Sequence, residues 1–327
     1  RLMLVQVLRL DTPPHAVIAT ALPLLAGGPR RLAHGVFGAL TRQDIALPDY
    51  PTLPDGPRAR WGERAEPIAK GLAAPPPLDL TLRDPATTEE WARTLEGVSL
   101  MSGHVRLPRG RRVEELPGFA EGAWWVQDLA ASLPARLLGA GEGRRALDLA
   151  AAPGGKTMQM AAAGWDVTAL DLSEERMAVL ESNLSRTGLS AQTVIADALD
   201  WEPVELFDAI LLDSPCSATG TCRRHPDVLH RIGGKQIAEL AELQAALMDR
   251  AIGWLKPGGT LVYAVCSLEE REGERVAARV ELERMPVVAG ELPNGIQATT
   301  DGSVRTHPGL LPDAGGLDGF FIARWRK

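Results

Sequence analysis

The chain has few cysteines, no long apolar run and no excess of positive charge. Its three cysteines, Cys216, Cys222 and Cys266, are too few for a disulfide framework, which favours reduced thiols in a cytoplasmic protein. No apolar run approaches the length of a membrane span and no signal peptide is recognisable, so we expect no membrane partner. The net charge of −7 argues against a protein that coats nucleic acid with its whole surface, but it is compatible with a local basic groove.

Length and composition indicate a globular chain of more than one domain. Its 327 residues exceed an average domain, and 45% hydrophobic with 24% charged residues is typical of globular proteins. A proline-rich stretch that ends in Pro75-Pro76-Pro77 predicts a stiff connector. The sequence thus predicts four parts: a partial helical domain (1–48), a proline-rich linker (49–77), a small α+β module (78–120) and a larger α/β domain (121–327).

Strand and helix patterns alternate in the last of these parts. Strands are predicted near 145–149, 166–171, 192–196, 207–213 and 259–266, and helices near 155–163, 173–186, 236–254 and 272–282. This alternation predicts a doubly wound, Rossmann-like parallel sheet, in which ligands bind outside the carboxyl ends of the strands. Asp171, Asp197, Asp213 and Cys266 all fall at such ends, so we expect them to share one edge of the sheet.

Residues 145–157 have the pattern of a strand, a glycine turn and a helix. The turn contains Pro153, Gly154 and Gly155, and backbone N–H groups at such a helix start bind anionic or polar groups. The dinucleotide fingerprint G-x-G-x-x-G is absent, and a phosphate loop is disfavoured because Ala150 stands where its first glycine is required. An S-adenosylmethionine site remains, with Asp171 at the next strand end to bind the ribose hydroxyls. The alternative is that Asp171 merely precedes the helix start at Ser173.

Two cysteine segments, 211–217 and 263–267, suggest the reaction that such a cofactor would serve. Carbon 5 of a cytosine becomes nucleophilic when a thiolate adds to carbon 6, and the thiol is expelled after a base removes the proton from carbon 5. Asp213 is close in sequence to Cys216 and could hydrogen-bond the edge of the base. Two alternatives stay open: cysteines at strand ends are often buried apolar residues, and Cys216, Cys222 and His225 form a poor zinc half-site. We interpret Cys222 as structural and expect no metal.

Several motifs resemble those of the Nop/Sun family of RNA cytosine-5 methyltransferases. The resemblance covers residues 78–327 and is closest to bacterial 16S rRNA methyltransferases of the Sun/Fmu type. Residues 1–43 look like the second half of the NusB-like helical domain that this type carries, and the small module is expected to be RRM-like. The segments that carry the resemblance are 118–119 with 126–128, 150–156, 213–220 with 223–227, 265–267, 315–321 and, more weakly, 11–16.

The resemblance implies a role for individual residues of the α/β domain. It implies that Cys266 is the nucleophile and that Cys216 assists release of the methylated product, an order that the chemistry of the residues leaves open. DNA cytosine-5 methyltransferases use the thiol of a Pro-Cys motif instead, so the exchanged order is the alternative. Asp213 and Lys156 complete the predicted catalytic set. The predicted cofactor contacts are Ala150, Ala151, Ala152, Pro153, Gly154, Gly155, Lys156, Asp171, Arg176, Asp197 and Asp213.

The motifs differ from the family pattern at three positions. Ser214 replaces an alanine, Val265 replaces a threonine, and Ala150 replaces a frequent cysteine at the start of the glycine turn. None of these changes removes a reacting group, so we expect the activity to survive.

Two basic clusters are candidates for RNA phosphate contacts, although each is also compatible with a solvated loop. The clusters consist of Arg106, Arg109, Arg111 and Arg112, and of Arg223, Arg224, Arg231 and Lys235.

The aromatic pair Trp124-Trp125 could stack on a base or pack in the core.

The sequence thus predicts a monomeric enzyme that forms 5-methylcytosine in RNA, with 16S rRNA as its partner. One alternative keeps the chemistry and changes the substrate to tRNA. A second is a noncatalytic RNA-binding assembly factor that retains the fold, and it is disfavoured because both cysteines and the motif aspartates are present.

Overall fold

The computed structural model describes residues 2–43 and 47–327, and the chain divides into two compact units, 1–51 and 52–327. Arg1 and residues 44–46, which belong to the predicted helical domain, lie outside the described residues. No helix in the described ranges is long and apolar enough to cross a membrane. The described residues of the first unit form helices α1 (Leu2–Leu10), α2 (Pro14–Ala21) and α3 (Gly27–Arg42).

The second unit begins with folded structure where the sequence predicts a linker. Helices α4 (Asp55–Trp61) and α5 (Ala65–Gly71) occupy the middle of residues 49–77. Their apolar side chains are buried, with Trp61 3% and Ile68 0% exposed. Pro54 precedes α4, and Pro57 and Pro67 lie in the first turns of α4 and α5. A fixed φ suits a helix start, and a missing N–H in the first turn removes no intrahelical hydrogen bond. The predicted linker is therefore corrected to two helices that belong to the second unit.

A small antiparallel sheet follows, with strand order β2-β1-β3. Its apolar face packs Leu80, Val105 and Trp124 against α6 and the adjoining turns. The third strand comes from beyond residue 120, so the sheet recruits residues that the sequence analysis assigned to the larger domain. Its elements are β1 (Leu78–Leu82), α6 (Thr88–Thr94), β2 (His104–Leu107) and β3 (Trp124–Val126).

The large sheet confirms the predicted doubly wound, Rossmann-like architecture. Strands β4 to β8 are mutually parallel in the order β6-β5-β4-β7-β8, while β11 adds to β8 in the antiparallel sense and carries β9 and β10. The strand order reverses between β4 and β7, which is where such sheets bind ligands. The strands are β4 (Arg145–Leu149), β5 (Asp166–Asp171), β6 (Gln192–Ile195), β7 (Phe207–Asp213), β8 (Leu255–Val265), β9 (Glu283–Arg284), β10 (Val304–Arg305) and β11 (Phe321–Arg326).

Helices cover both faces of this sheet. Because side chains alternate along a strand, Leu147 and Ile210 pack on the face of α11, whereas Ala146 and Ala209 pack on the face of α7. Burial on both faces explains why the strands read as nearly continuous apolar runs. The helices are α7 (Leu129–Arg136), α8 (Gly155–Ala162), α9 (Glu174–Thr187), α10 (Val228–Arg231), α11 (Gly234–Trp254) and α12 (Glu274–Ala277).

Helix α12 is much shorter than the predicted helix over 272–282. Val280 and Leu282 both pack against the core cluster of the sheet, and side chains two residues apart share a face in an extended chain. Glu283 and Arg284 then pair with β11. The pairing with β11 thus draws the chain out of the helix that local composition favours.

Candidate active site

The predicted strand-end residues meet at the edge of the sheet where the strand order reverses. Asp213 is the last residue of β7, Cys266 follows β8 directly, and Asp171 is the last residue of β5. Cys216 lies in the loop that leaves β7. Parallel strands present their carboxyl ends to one edge, so the topology brings together residues that lie up to 95 positions apart in the sequence.

The two cysteines of this edge are in direct contact. The Sγ atoms of Cys216 and Cys266 lie 3.3 Å apart, and both are free, half-buried thiols. The pKa of Cys216 is raised well above its usual value by its hydrogen bond with Cys266, by burial and by the negative charge of Glu272. Cys216 is therefore held as a neutral thiol at neutral pH.

Backbone contacts hold the two cysteine loops against each other. Gly220 donates its N–H to the carbonyl of Cys266 at 3.0 Å, and Gly319 donates to the carbonyl of Gly220 at 2.8 Å. A Cβ at Gly220 would lie 1.9 Å from the Gly319 oxygen. Only glycine permits this approach, which explains the Thr219-Gly220 step of the motif.

Lys156 and Asp213 form an ion pair beside the thiols. The Lys156 Nζ lies 2.7 Å from the Asp213 carboxylate and 5.5 Å from the Phe320 ring centroid. Burial alone would lower the pKa of Lys156, but the charge of Asp213 and its hydrogen bond outweigh burial and raise it, with smaller contributions from Asp148 and Cys266. The first turn of α8 thus supplies a permanent cation that orients the Asp213 carboxylate.

The glycine turn between β4 and α8 is held by Asp171. This carboxylate is 4% exposed and accepts hydrogen bonds from the Ala152 N–H at 3.0 Å and the Ser173 N–H at 2.9 Å. Gly154 has φ +101°, and a Cβ there would lie 2.8 Å from Leu180 Cγ. Arg176 donates to the carbonyl of Ala152 and lies 3.8 Å from Asp171. Asp171 thus both shapes the turn and presents a carboxylate at the strand end.

The turn has the donor and acceptor groups that a methionine carboxylate and a ribose require. The first N–H groups of α8 have no intrahelical acceptor by helix geometry, and Gly154 has no side chain to cap them. The Asp171 and Asp213 carboxylates supply acceptors on either side of the turn. Asp197 is exposed and accepts from the Leu199 N–H at 2.9 Å, which leaves lone pairs free for a ligand. These groups fit S-adenosylmethionine.

Sequence reasoning missed two carboxylates close to this edge. Asp148 is fully buried in β4, and its Oδ2 accepts a hydrogen bond from Thr157 at 2.6 Å. Burial raises its pKa to about 7 against the smaller, opposing effects of Thr157 and Lys156. The sequence feature that could have identified Asp148 is a single acidic residue within an apolar strand. Glu272 is also fully buried and contacts both cysteine loops, but the sequence predicts it only as part of a helix.

Two of the arginines predicted to contact RNA are buried in ion pairs, and this corrects their prediction. Arg106 is 4% exposed and bonds both oxygens of Asp79 at 2.6 and 2.7 Å. The Arg223 side chain is 2% exposed and bridges Asp128 and Asp318. Neither guanidinium is available to a phosphate, because each is enclosed by carboxylates that neutralise it.

The remaining predicted RNA contacts stay at the surface. Most of these side chains form ion pairs with exposed carboxylates. Such pairs contribute little free energy, so a phosphate can replace the carboxylate at small cost. Trp124 and Trp125, by contrast, are 0% and 3% exposed and pack in the core, so neither stacks on a base. The surface residues and their partners are Arg109, Arg111 with Glu96, Arg112 with Glu115, Arg224 with Asp318, Arg231 with Asp227 and Lys235 with Glu239.

Cys222 is a third free thiol, and it lies outside the Cys216–Cys266 pair. It is 1% exposed, and burial raises its pKa to about 12. Within residues 2–43 and 47–327, no group of three or more His, Cys, Asp or Glu side chains converges as metal ligands. The poor zinc half-site with Cys216 and His225 therefore gains no support.

Comparisons with known proteins agree with this geometry. The family described as 16S rRNA methyltransferase RsmB/F matches residues 135–326. A protein named "Ribosomal RNA small subunit methyltransferase B" from Klebsiella pneumoniae is 37% identical over 99% of this chain and 80% of its own length. A crystal structure of a methyltransferase homologue from Pyrococcus horikoshii superposes with a TM-score of 0.68 at 28% identity, over 84% of this chain and 93% of that one. NSun6 from Pyrococcus horikoshii with SFG shares the fold, with a TM-score of 0.71 at 20% identity over 84% of this chain and 98% of that one.

Proposed function

The chain belongs to the RsmB/F family of 16S rRNA methyltransferases, and we propose that it methylates carbon 5 of a cytosine in 16S rRNA through a covalent cysteine adduct. It is an S-adenosylmethionine-dependent methyltransferase. The observation that carries the proposal is the contact between the Cys216 and Cys266 thiols, 3.3 Å apart beside the Lys156–Asp213 ion pair.

Two adjacent thiols and a carboxylate suit the chemistry of carbon 5. When bound, S-adenosylmethionine supplies the electrophilic methyl group. A thiolate adds to carbon 6 of the cytosine, and the electron pair of the 5,6 double bond becomes available at carbon 5. After methyl transfer, a base removes the proton from carbon 5, the double bond re-forms and the thiolate leaves. Asp213, oriented by Lys156, hydrogen-bonds the edge of the base and favours the addition.

We assign Cys266 as the nucleophile and Cys216 as the thiol that assists release, which is the order that the family motifs imply. The contact between the two thiols places the second one within reach of an adduct formed on the first. A neutral thiol close to the adduct suits a group that exchanges protons during release. The target base reaches these thiols only by leaving its stack, because both are half-buried in the sheet edge.

The ribosomal substrate is supported by the names of the relatives rather than by a surface of this chain. Exposed Arg109, Arg112, Arg231 and Lys235 remain candidates for phosphate contacts. The cytoplasmic location and the monomeric state stay predictions from the sequence.

A covalent-trapping experiment tests the proposed function. The wild type, Cys216→Ala and Cys266→Ala are each incubated with S-adenosylmethionine and unmethylated 16S RNA, then separated on a denaturing gel. We expect a persistent protein–RNA adduct with Cys216→Ala, because the adduct forms but is released poorly, and none with Cys266→Ala. Mass spectrometry of nucleosides from the wild-type reaction should find 5-methylcytosine.

Cys222→Ala is the matched control, since it removes a thiol that is buried away from the reacting pair. It should behave like the wild type. An adduct with Cys266→Ala and none with Cys216→Ala would exchange the two roles. If the wild type formed neither an adduct nor 5-methylcytosine on 16S RNA, the ribosomal proposal would be rejected, and the same assay on tRNA would test the alternative substrate.

A further inference from the structure

Glu272 is a buried carboxylate that joins the two cysteine loops. Its Oε1 accepts the Ser217 N–H at 2.8 Å and the Gln244 side-chain N–H at 3.1 Å. Its Oε2 accepts the hydroxyls of Ser217 and Ser267, each at 2.5 Å. Ser217 and Ser267 directly follow Cys216 and Cys266 in the chain. One side chain therefore holds the residue next to each reacting thiol.

We propose that Glu272 is a positioning residue that sets the separation of the Cys216 and Cys266 thiols. It does not touch the reacting atoms itself, and its role in catalysis rests on the proposed function of the two cysteines.

The number of hydrogen bonds to the Glu272 side chain suits a carboxylate at this position. Four donors point at the two oxygens, which matches the acceptor capacity of a carboxylate. The surrounding groups complete the network without competing for these oxygens: the Gln244 amide also donates to the Pro215 carbonyl at 2.9 Å, and the Tyr263 hydroxyl donates to the Glu272 backbone carbonyl at 2.5 Å. An apolar side chain would leave at least one backbone N–H and two hydroxyls to find new partners in a fully buried site.

The charge of this carboxylate also acts on the Cys216 thiol. After the hydrogen bond with Cys266 and burial, Glu272 contributes to the raised pKa of Cys216. The bridge thus helps to keep Cys216 neutral while it fixes the geometry. This electrostatic effect agrees with the positioning role, but the role stands on the contacts alone.

Disulfide formation reports the thiol separation without any methyl transfer. Diamide oxidises two adjacent thiols to a disulfide, and its N=N bond takes up the two hydrogens to become a hydrazine. In a Cys222→Ala background, mass spectrometry follows the loss of two hydrogens as the Cys216–Cys266 disulfide forms. We expect Glu272→Ala to form it at least about tenfold more slowly than the parent, because Ser217 and Ser267, the neighbours of the two cysteines, lose the carboxylate that they share.

Two further variants separate positioning from a general loss of stability. Glu269→Ala removes another buried carboxylate of the same loop, which bonds Arg60 and Trp61 rather than the cysteine loops. It should oxidise within about threefold of the parent. Glu272→Gln should also stay within about threefold, because hydroxyls can turn to accept from the amide that replaces one oxygen.

Kinetics of methyl transfer give the second readout. Glu272→Ala should lower kcat by about 100-fold while the KM for S-adenosylmethionine changes little, because a displacement of roughly 1 Å at a reacting group has that effect and the cofactor turn is untouched. Glu272→Gln should recover most of the loss.

The proposal is overturned if Glu272→Ala, folded by its unfolding transition, forms the disulfide as fast as the parent. It is also overturned if Glu269→Ala slows the reaction equally. Should Glu272→Ala not fold, the Ser217→Ala and Ser267→Ala double variant removes two of the four donors, and an unchanged oxidation rate there would overturn the proposal. If Glu272→Ala oxidises more slowly than the parent while the wild type does not methylate cytosine, the positioning role stands and the proposed function alone is rejected.

Discussion

At the scale of single residues, Asp148 is the most unusual group near the candidate site. Its Oδ1 has no hydrogen-bond partner among the described residues, and its side chain is fully buried. A buried carboxyl group without a cation in direct contact favours the neutral form, so its pKa rises from 3.8 to about 7. Titration of this residue therefore couples the stability of the sheet to pH.

Replacing Asp148 with asparagine should remove a pH-dependent loss of stability. Between pH 3.8 and about 7 the folded state keeps a proton that the unfolded chain has released, so stability falls as pH rises through this window. The total effect is up to about 4 kcal/mol. We expect Asp148→Asn to gain stability relative to the wild type from pH 4 to pH 8 in urea unfolding.

The control for this prediction is Asp166→Asn, an exposed aspartate at the start of the neighbouring strand β5. It should leave the pH profile of the wild type unchanged. A parallel pH profile for Asp148→Asn and the wild type would contradict a neutral Asp148 in the folded protein.

At the scale of elements, α9 shows how local signals determine the boundaries of a helix. Ser173 accepts the Arg176 N–H at 3.3 Å at the start, and Gly188 ends the helix with φ +63°. Met177, Leu180 and Leu184 share the buried face, at the spacing that the sequence predicts. Caps and periodicity agree here, and for that reason the predicted helix 173–186 matches the observed one closely.

Gly188→Ala should destabilise the protein by about 1–2 kcal/mol, because a Cβ is unfavourable at positive φ. The nearest atom would be Arg83 Nη1 at 3.8 Å, so the cost is conformational and not a clash. Thermal or urea unfolding measures the loss.

Gly253→Ala is the opposite control within α11. This glycine is exposed in a helix and has open space at its Cβ position. Alanine there should stabilise the protein by about 0.5–1 kcal/mol, since it reduces the freedom of the unfolded chain. Equal effects of the two variants would contradict the conformational explanation.

At the scale of the whole second unit, buried ion pairs connect segments far apart in the chain. Arg223 in the loop after β7 bridges Asp128 at the start of α7 and Asp318 before β11. Arg106 of the small sheet bonds Asp79 and donates to the Ala314 carbonyl at 2.6 Å. These contacts tie the small sheet and the C-terminal segment to the loop that carries Cys216.

Arg223→Met should cost about 3–5 kcal/mol, because it leaves two buried carboxylates without their shared cation. Arg224→Met is the matched control: its side chain is 41% exposed, and its ion-pair partner in the described part of the chain is Asp318, which keeps Arg223 in this variant. It should cost no more than about 1 kcal/mol. Urea unfolding at one pH compares the two, and a loss of similar size in both would show that burial does not decide the difference.

The sequence by itself determined the elements whose signals are local. The alternation of strands and helices, the glycine turn at 150–156 and the order of motifs around Asp213 and Cys266 follow from periodicity, turn chemistry and family resemblance. These signals depend on residues close together in the sequence, so they can be recognised without knowledge of the fold. The parallel arrangement then implies that strand ends share an edge, which is why the candidate site could be located from the chain alone.

Only the tertiary structure decided which charged groups reach solvent. Arg106 and Arg223 read as basic surface residues, but carboxylates from distant segments enclose them, and the role of Glu272 depends on two loops that meet only in the fold. The formation of helices over 55–71 and the short length of α12 likewise depend on tertiary packing within the second unit. The physical reason is the same in each case: burial and pairing depend on neighbours that are remote in sequence, whereas propensity and periodicity report only the neighbours along the chain.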